Sequence, residues 1–155
     1  MDSIDAVNVI RDFMREYVAD PYVTAGGKAR LSWIFTDDPF SSATYPRIKI
    51  SIHNHTSRPI DIGPDYTNWE NVVVKIQFFT KQDFKVVLNN TIYTNEQLVS
   101  KYQNIIHDTL KSKFNELYAS GVKAFKLIGM STPSYEPNYQ CHNGYILCNF
   151  WLFRR

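Results

Sequence analysis

The sequence predicts an α+β fold: a mostly antiparallel sheet with a short N-terminal helix and one long helix packed on one face. Three observations predict it. Residues 47–53 and 72–79 alternate apolar and polar side chains, the period of strands with one buried and one wet face. Residues 4–17 and 98–117 carry apolar side chains at three- and four-residue steps, the period of amphipathic helices. Gly, Pro, Asn and Asp cluster between these segments. The predicted order is α-β-β-β-(ββ)-α-β-β, in a single domain over residues 1–155.

Taken in order, Asp2 or Ser3 is placed to cap the first helix, whose stripe is Ile4, Val7, Ile10, Met14 and Tyr17. Asp20-Pro21 ends it and Ala25-Gly26-Gly27 forms a joint. Residues 29–35 alternate as a first strand with Leu31, Trp33 and Phe35 inward, and residues 36–44 form a loop. The central pair of strands follows. In the first, Ile48, Ile50 and Ile52 face inward while Arg47, Lys49, Ser51 and His53 face out. Pro46, which cannot donate to a ladder, suits the start of that strand. In the second, Val72, Val74, Ile76 and Phe78 face inward and Lys75 and Gln77 face out. Residues 53–69 between them hold turn chemistry in Asn54, Gly63, Pro64, Asp65 and Asn68. A connection of about 16 residues exceeds ordinary hairpin loops and reads as functional or disordered.

The pattern breaks at residues 80–83. A small hairpin is expected over residues 84–93, turning at Asn89-Asn90, since Asn tolerates the left-handed conformation. Thr94-Asn95-Glu96-Gln97 spells a capping box. The helix it opens carries Leu98, Tyr102, Ile105, Ile106, Leu110, Phe114 and Leu117 on one side and closes at Ser120-Gly121. About 25 residues would make a rod of about 37 Å. Residues 122–130 read as a strand and residues 131–143 as a second long loop. Residues 145–153 form a last strand, apolar on both faces, which suits a strand covered on both sides or a subunit contact.

The composition, 44% hydrophobic and 21% charged, is ordinary for a globular domain. The aromatic share of 15% is high, and Tyr in particular favours interfaces. A net charge of +2 gives no reason to expect specific nucleic-acid binding. No apolar run is long enough to span a membrane. The acidic start Met1-Asp2-Ser3-Ile4-Asp5 does not read as a signal peptide, so synthesis in the cytoplasm is expected. Cys141 and Cys148 do not make a disulfide framework, and a bond between them is the lesser reading.

Few groupings suggest chemistry. His53 and His55 would share a strand face, but no carboxylate sits at a matching short spacing, so no metal site is assigned. Pro64-Asp65 with Asp83-Phe84-Lys85 matches the loose PD-(D/E)xK nuclease pattern. There two carboxylates hold a divalent metal and a Lys orients water or stabilises charge. The whole 72–79 strand separates the two halves, which fits that pattern poorly. Cys141 and His142 are adjacent, so their side chains point apart in an extended chain and do not pair. Gly26-Gly27-Lys28 lacks the rest of a phosphate loop. No catalytic residue and no cofactor is assigned.

The order of elements, with Tyr45-Pro46-Arg47-Ile48 leading into the second strand and an aromatic strand closing the chain, resembles the tail terminator (tail-completion) proteins of tailed viruses. The resemblance covers nearly the whole chain in pattern rather than in identity; the hairpin at residues 84–93 is an addition to it. It implies a non-enzymatic structural virion protein at the tail or neck. Such a protein forms a homo-oligomeric ring, commonly a hexamer, that caps the tail tube and joins it to the head-side connector. Its partners would be itself, the tail tube protein and the head-side connector protein, without a membrane. The expected interface residues are Tyr45, Arg47, Asp65, Tyr66, Trp69, Tyr135, Glu136 and Tyr139. The alternative is a metal-dependent nuclease using Asp65, Asp83 and Lys85.

Overall fold

The computed structural model describes residues 3–30, 32–36, 45–59 and 68–154. The four helical and eight extended elements among the described residues were not all expected in their observed lengths, and the differences have physical reasons. Helix α1 spans Ser3–Tyr17 and buries Ala6, Val7, Ile10, Phe13 and Met14. The Asp2 cap, Leu31, the loop at residues 37–44, and Asp65 and Tyr66 lie outside the described residues. Asp20 does not simply stop α1; its carboxylate accepts from the Tyr22 N–H and caps a single turn, α2, Pro21–Thr24, with Pro21 at its start.

Strand β1 is shorter than expected, Ile34–Phe35. Arg30 is held by other partners instead. Its guanidinium pairs with Asp20, donates to the Pro46 carbonyl at 2.9 Å and lies over the Tyr22 ring at 5.0 Å. Trp33 and Ile34 are both buried, so the predicted alternation fails there. β1 pairs in parallel with β2, Arg47–Pro59, through Ile34↔Ile48. β2 pairs antiparallel with β3, Asn68–Lys81. Both strands run on into the predicted 53–69 loop, β2 as far as Pro59 and β3 from Asn68; residues 60–67 lie outside the described residues. The extension requires a bulge between Ile52 and Asn54. Ile52, expected inward, is 41% exposed. β1 covers the outer edge of β2 only as far as Lys49, so no described strand flanks that edge beside Ile52.

The small hairpin forms as expected, β4 Lys85–Leu88 with β5 Thr91–Thr94, and both turn residues are left-handed, Asn89 at φ 51° and Asn90 at φ 64°. The capping box does not form. Thr94 Oγ1 donates to the Phe84 carbonyl, and Asn95 Oδ1 accepts the Asp83 N–H, so both side chains tie the hairpin to the helix. The single long rod divides at Lys113 into α3, Asn95–Ser112, and α4, Phe114–Ala119. At about 1.5 Å per residue α3 is about 27 Å long. Gly121, at φ 107°, ends the helical region in the left-handed conformation. β6 spans Val122–Met130. The expected loop at residues 131–143 contains a further short strand, β7, Ser134–Glu136, which folds back on β8, Cys141–Arg154.

The main sheet runs β1-β2-β3-β8-β6, with β7 beside β8. All its pairs but β1–β2 are antiparallel. α1 lies over β2, and α3 over β3 and β8. Between the layers sit Ile48, Ile50, Val72, Val74, Ile76, Phe78, Ile146, Cys148, Phe150 and Leu152, with Leu98, Tyr102, Ile106 and Leu110 from α3. Phe78 and Tyr102 stack with centroids 4.7 Å apart. The last strand thus lies between β3 and β6, and among the described residues helices cover it on one face only.

Candidate interface on the open face of the sheet

The helix layer takes one set of alternating side chains; the other set forms the opposite face, on which no described helix lies. Cross-strand register arranges that face in rows. Arg47, Phe79 and Asn143 make one row, and Lys49, Gln77 and Tyr145 the next. Ser51, Lys75, Leu147 and Gly129 follow, then Asn54, Val73, Asn149 and Lys126, and finally Thr56, Asn71, Trp151 and Ala124. Among the described residues these rows hold no carboxylate. The rows are cross-linked: Gln77 Nε2 donates to Asn143 Oδ1 at 3.1 Å, and Lys75 Nζ lies 4.4 Å from the Tyr145 ring centroid.

At one end of this face the structure gathers four of the expected interface residues. The Tyr45 ring lies between two cations, the Arg47 guanidinium 4.1 Å and Lys81 Nζ 4.7 Å from its centroid. An Arg47 N–H donates to the Tyr45 hydroxyl at 2.8 Å. Lys81 Nζ also donates to the Tyr139 carbonyl at 2.6 Å, which pins the 137–140 turn to the end of β3. Glu136 pairs across the ladder with Cys141, which itself faces Lys81. Burial pushes the Tyr45 hydroxyl above its ordinary pKa, against the opposing pull of Arg47. The Cys141 thiol is raised by burial and by Glu136, with Lys81 and Arg47 opposing. Tyr135 alternates to the other side of β7, where its ring meets His142 at 4.8 Å and its hydroxyl donates to Gln82 at 3.1 Å.

The remaining expectations are placed elsewhere. Trp69 belongs to β3, paired with Arg58 and Phe153 at the opposite end of the sheet. Asp65 and Tyr66 lie outside the described residues. Asp83 is left-handed at φ 66° with its N–H held by Asn95, and Lys85 opens β4 as an exposed side chain. His55 reaches the buried Glu70, Nε2 to Oε2 3.5 Å. No group of three His, Cys, Asp or Glu suited to a metal ion comes together among the described residues. Cys141 and Cys148 are free thiols on opposite faces of one strand, and Cys148, packed under α3, is pushed up to about 12 by burial. Cys141 and His142 point to opposite faces, as the sequence suggested.

Sequence reasoning missed Lys81 and Gln82, which it read only as a break in the strand, and it did not see that Lys49, Lys75 and Lys126 share a face. Alternation does mark Lys49 and Lys75 as outward; strand order and register were needed to bring them together. No protein-family model matches the chain, and no curated protein is similar enough to it to indicate a family.

Proposed function

We propose that this chain is a structural virion protein that assembles into a ring, caps the tail tube and joins it to the head-side connector. The observation that carries the reading is the convergence of Tyr45, Arg47, Glu136 and Tyr139 around Lys81 at one end of the open face. Aromatic and Arg side chains held in a partly dried cluster are the usual anchors of protein interfaces. The edges of the sheet add to it. β6 has no described strand on its outer side and exposes Ile128 and Met130, at 53% and 41%. The outer edge of β2 has no described strand beyond Lys49. Two different uncovered edges suit a heterologous contact, the kind that closes into rings.

Light scattering coupled to size exclusion, followed by electron microscopy, tests the proposal. A closed ring that attaches to the ends of tail tubes is expected. A strict monomer at all concentrations, indifferent to tubes and particles, overturns it. Incubation with DNA and Mg²⁺ or Mn²⁺ addresses the nuclease alternative: cleavage abolished by Asp83→Ala would replace the structural reading.

A further inference from the structure

We propose that the cleft between β5 and α3 takes up an extended peptide segment of a partner protein as a third strand of the small hairpin sheet. The cleft, about 630 Å³, is lined by Thr91, Ile92 and Tyr93 of β5, by one stripe of α3 between Glu96 and Asn104, and by Pro133. Ile92 and Tyr93 are consecutive in a strand, so their side chains point to opposite faces of the hairpin. A cleft that both of them line runs along the edge of β5. β4 and β5 form a two-stranded sheet of their own, so no described strand pairs with that edge. The two-residue turn at Asn89-Asn90 sets which backbone groups lie there. Leu88 and Thr91 close the turn as a hydrogen-bonded pair, and Val86 and Tyr93 form the next; Val87 and Ile92 between them are a non-hydrogen-bonded pair. The Ile92 N–H and carbonyl therefore point away from β4, toward the cleft, and no described hydrogen bond outside the ladder reaches them.

These backbone groups select the occupant. An extended polypeptide returns both bonds, because it carries donors and acceptors at strand spacing. Its side chains alternate between the two faces. Those on the outer face join the row of Val87 and Ile92, which stand directly opposite each other and are 56% and 59% exposed, so β-branched apolar residues fit there. Those on the inner face meet Gln97, Ser100 and Asn104, an uncharged polar stripe of α3, so Thr or Ser fits there. Lys101 lies over the Tyr93 ring at 5.4 Å, while Glu96 makes no ion pair among the described residues, so a basic residue suits the Glu96 end. The stripe from Glu96 to Asn104 is about 12 Å long at about 1.5 Å per residue, the length of about three or four residues of strand. β5 of a second copy would arrive with its own α3 packed beside it, and a cleft of this volume does not admit a helix along with a strand. A tail or loop of a partner protein arrives without one. The inference is independent of the ring, which uses the Tyr45 end and the outer edges of the main sheet.

Fluorescence anisotropy of the full chain with the C-terminally labelled peptide Lys-Thr-Val-Thr-Val-Thr tests it, with protein up to about 1 mM. Saturable binding is expected. N-methylation of one alternate set of peptide amides should abolish it, and N-methylation of the other set should not, because only one set faces β5. Ile92→Pro removes the outward donor and leaves the β4 ladder intact, and should weaken binding at least about tenfold. If circular dichroism shows this variant unfolded, amide exchange in the parent decides: the Ile92 N–H should exchange freely in the chain alone and slow at least about tenfold with saturating peptide. The proposal is overturned by no binding at the highest concentration, by an Ile92→Pro variant that binds like the parent, or by binding that survives both methylations. An Ile92 amide that becomes protected as the protein alone is concentrated overturns it as well, in favour of a second copy as occupant. Light scattering on the parent and on Ile92→Pro reports the ring separately. The oligomer should be the same in both, and one dissolved by the substitution assigns the cleft to a subunit contact and overturns the proposal.

Discussion

Gly144 sits near the start of β8 against α3, and a Cβ there would meet Gln103 Nε2 at 2.7 Å and Val99 Cγ1 at 2.8 Å. Gly144→Ala is therefore expected to cost about 1–3 kcal/mol, read as a lower urea midpoint at unchanged slope. The Gln103 amide explains the closeness. Buried at 2% exposure, it donates to the Ser131 and Tyr145 carbonyls at 3.0 and 3.1 Å, fastening the helix to the start of the β6–β7 connection. Nothing in the local sequence marks either residue: Gly144 reads as a turn former and Gln103 as a surface residue of a helix. Cys148 gives a prediction with a definite sign. Its thiol is pushed up to about 12 in the folded chain, against 9.0 unperturbed. The unfolded thiol therefore loses its proton first as pH rises, so this contribution to stability is complete below about pH 9 and fades through about pH 12. Denaturant titrations between those limits should show a steeper loss for the parent than for Cys148→Val.

Among the elements, the β4–β5 hairpin was legible because turn chemistry is local. Two consecutive Asn residues at positive φ match the preferred two-residue turn, and Asn90→Val should cost about 1–2 kcal/mol while Asn90→Gly leaves stability equal or slightly higher. Thermal melts of the two variants check this. The capping box was misread because its side chains had better partners outside the helix: Thr94 on Phe84 and Asn95 on Asp83. The division of the long helix at Lys113 was equally invisible. The apolar stripe continues through Phe114 and Leu117, with Leu117 buried and Phe114 meeting Phe125 of β6 at 5.4 Å. The long polar connection was over-read for a related reason. Residues 54–59 and 68–71 look like loop in isolation, yet each finds a ladder partner across the hairpin, and β8 completes the second.

At the scale of the molecule, the prominent asymmetry among the described residues is a sheet with helices on one side and none on the other. Arg47→Glu tests whether its Tyr45 end serves assembly. The substitution removes the cation from one side of the Tyr45 ring and is expected to shift the oligomer toward monomer, with a melting temperature within about 3 °C of the parent. Light scattering and a thermal melt on the same sample check both halves. An unchanged oligomer would remove that end of the sheet from the assembly contacts.

The sequence by itself determined the α+β class, the buried faces of the central strands, both turn Asn residues and the left-handed glycine after the helix. Each is set by side-chain period or backbone preference over a few residues, and those forces act before distant parts of the chain meet. The tertiary structure alone decided that β8 lies between β3 and β6, that the strands outlast their apolar cores, and that the open-face lysines share one surface. These follow from pairing between segments far apart in the chain, whose partners no local pattern names.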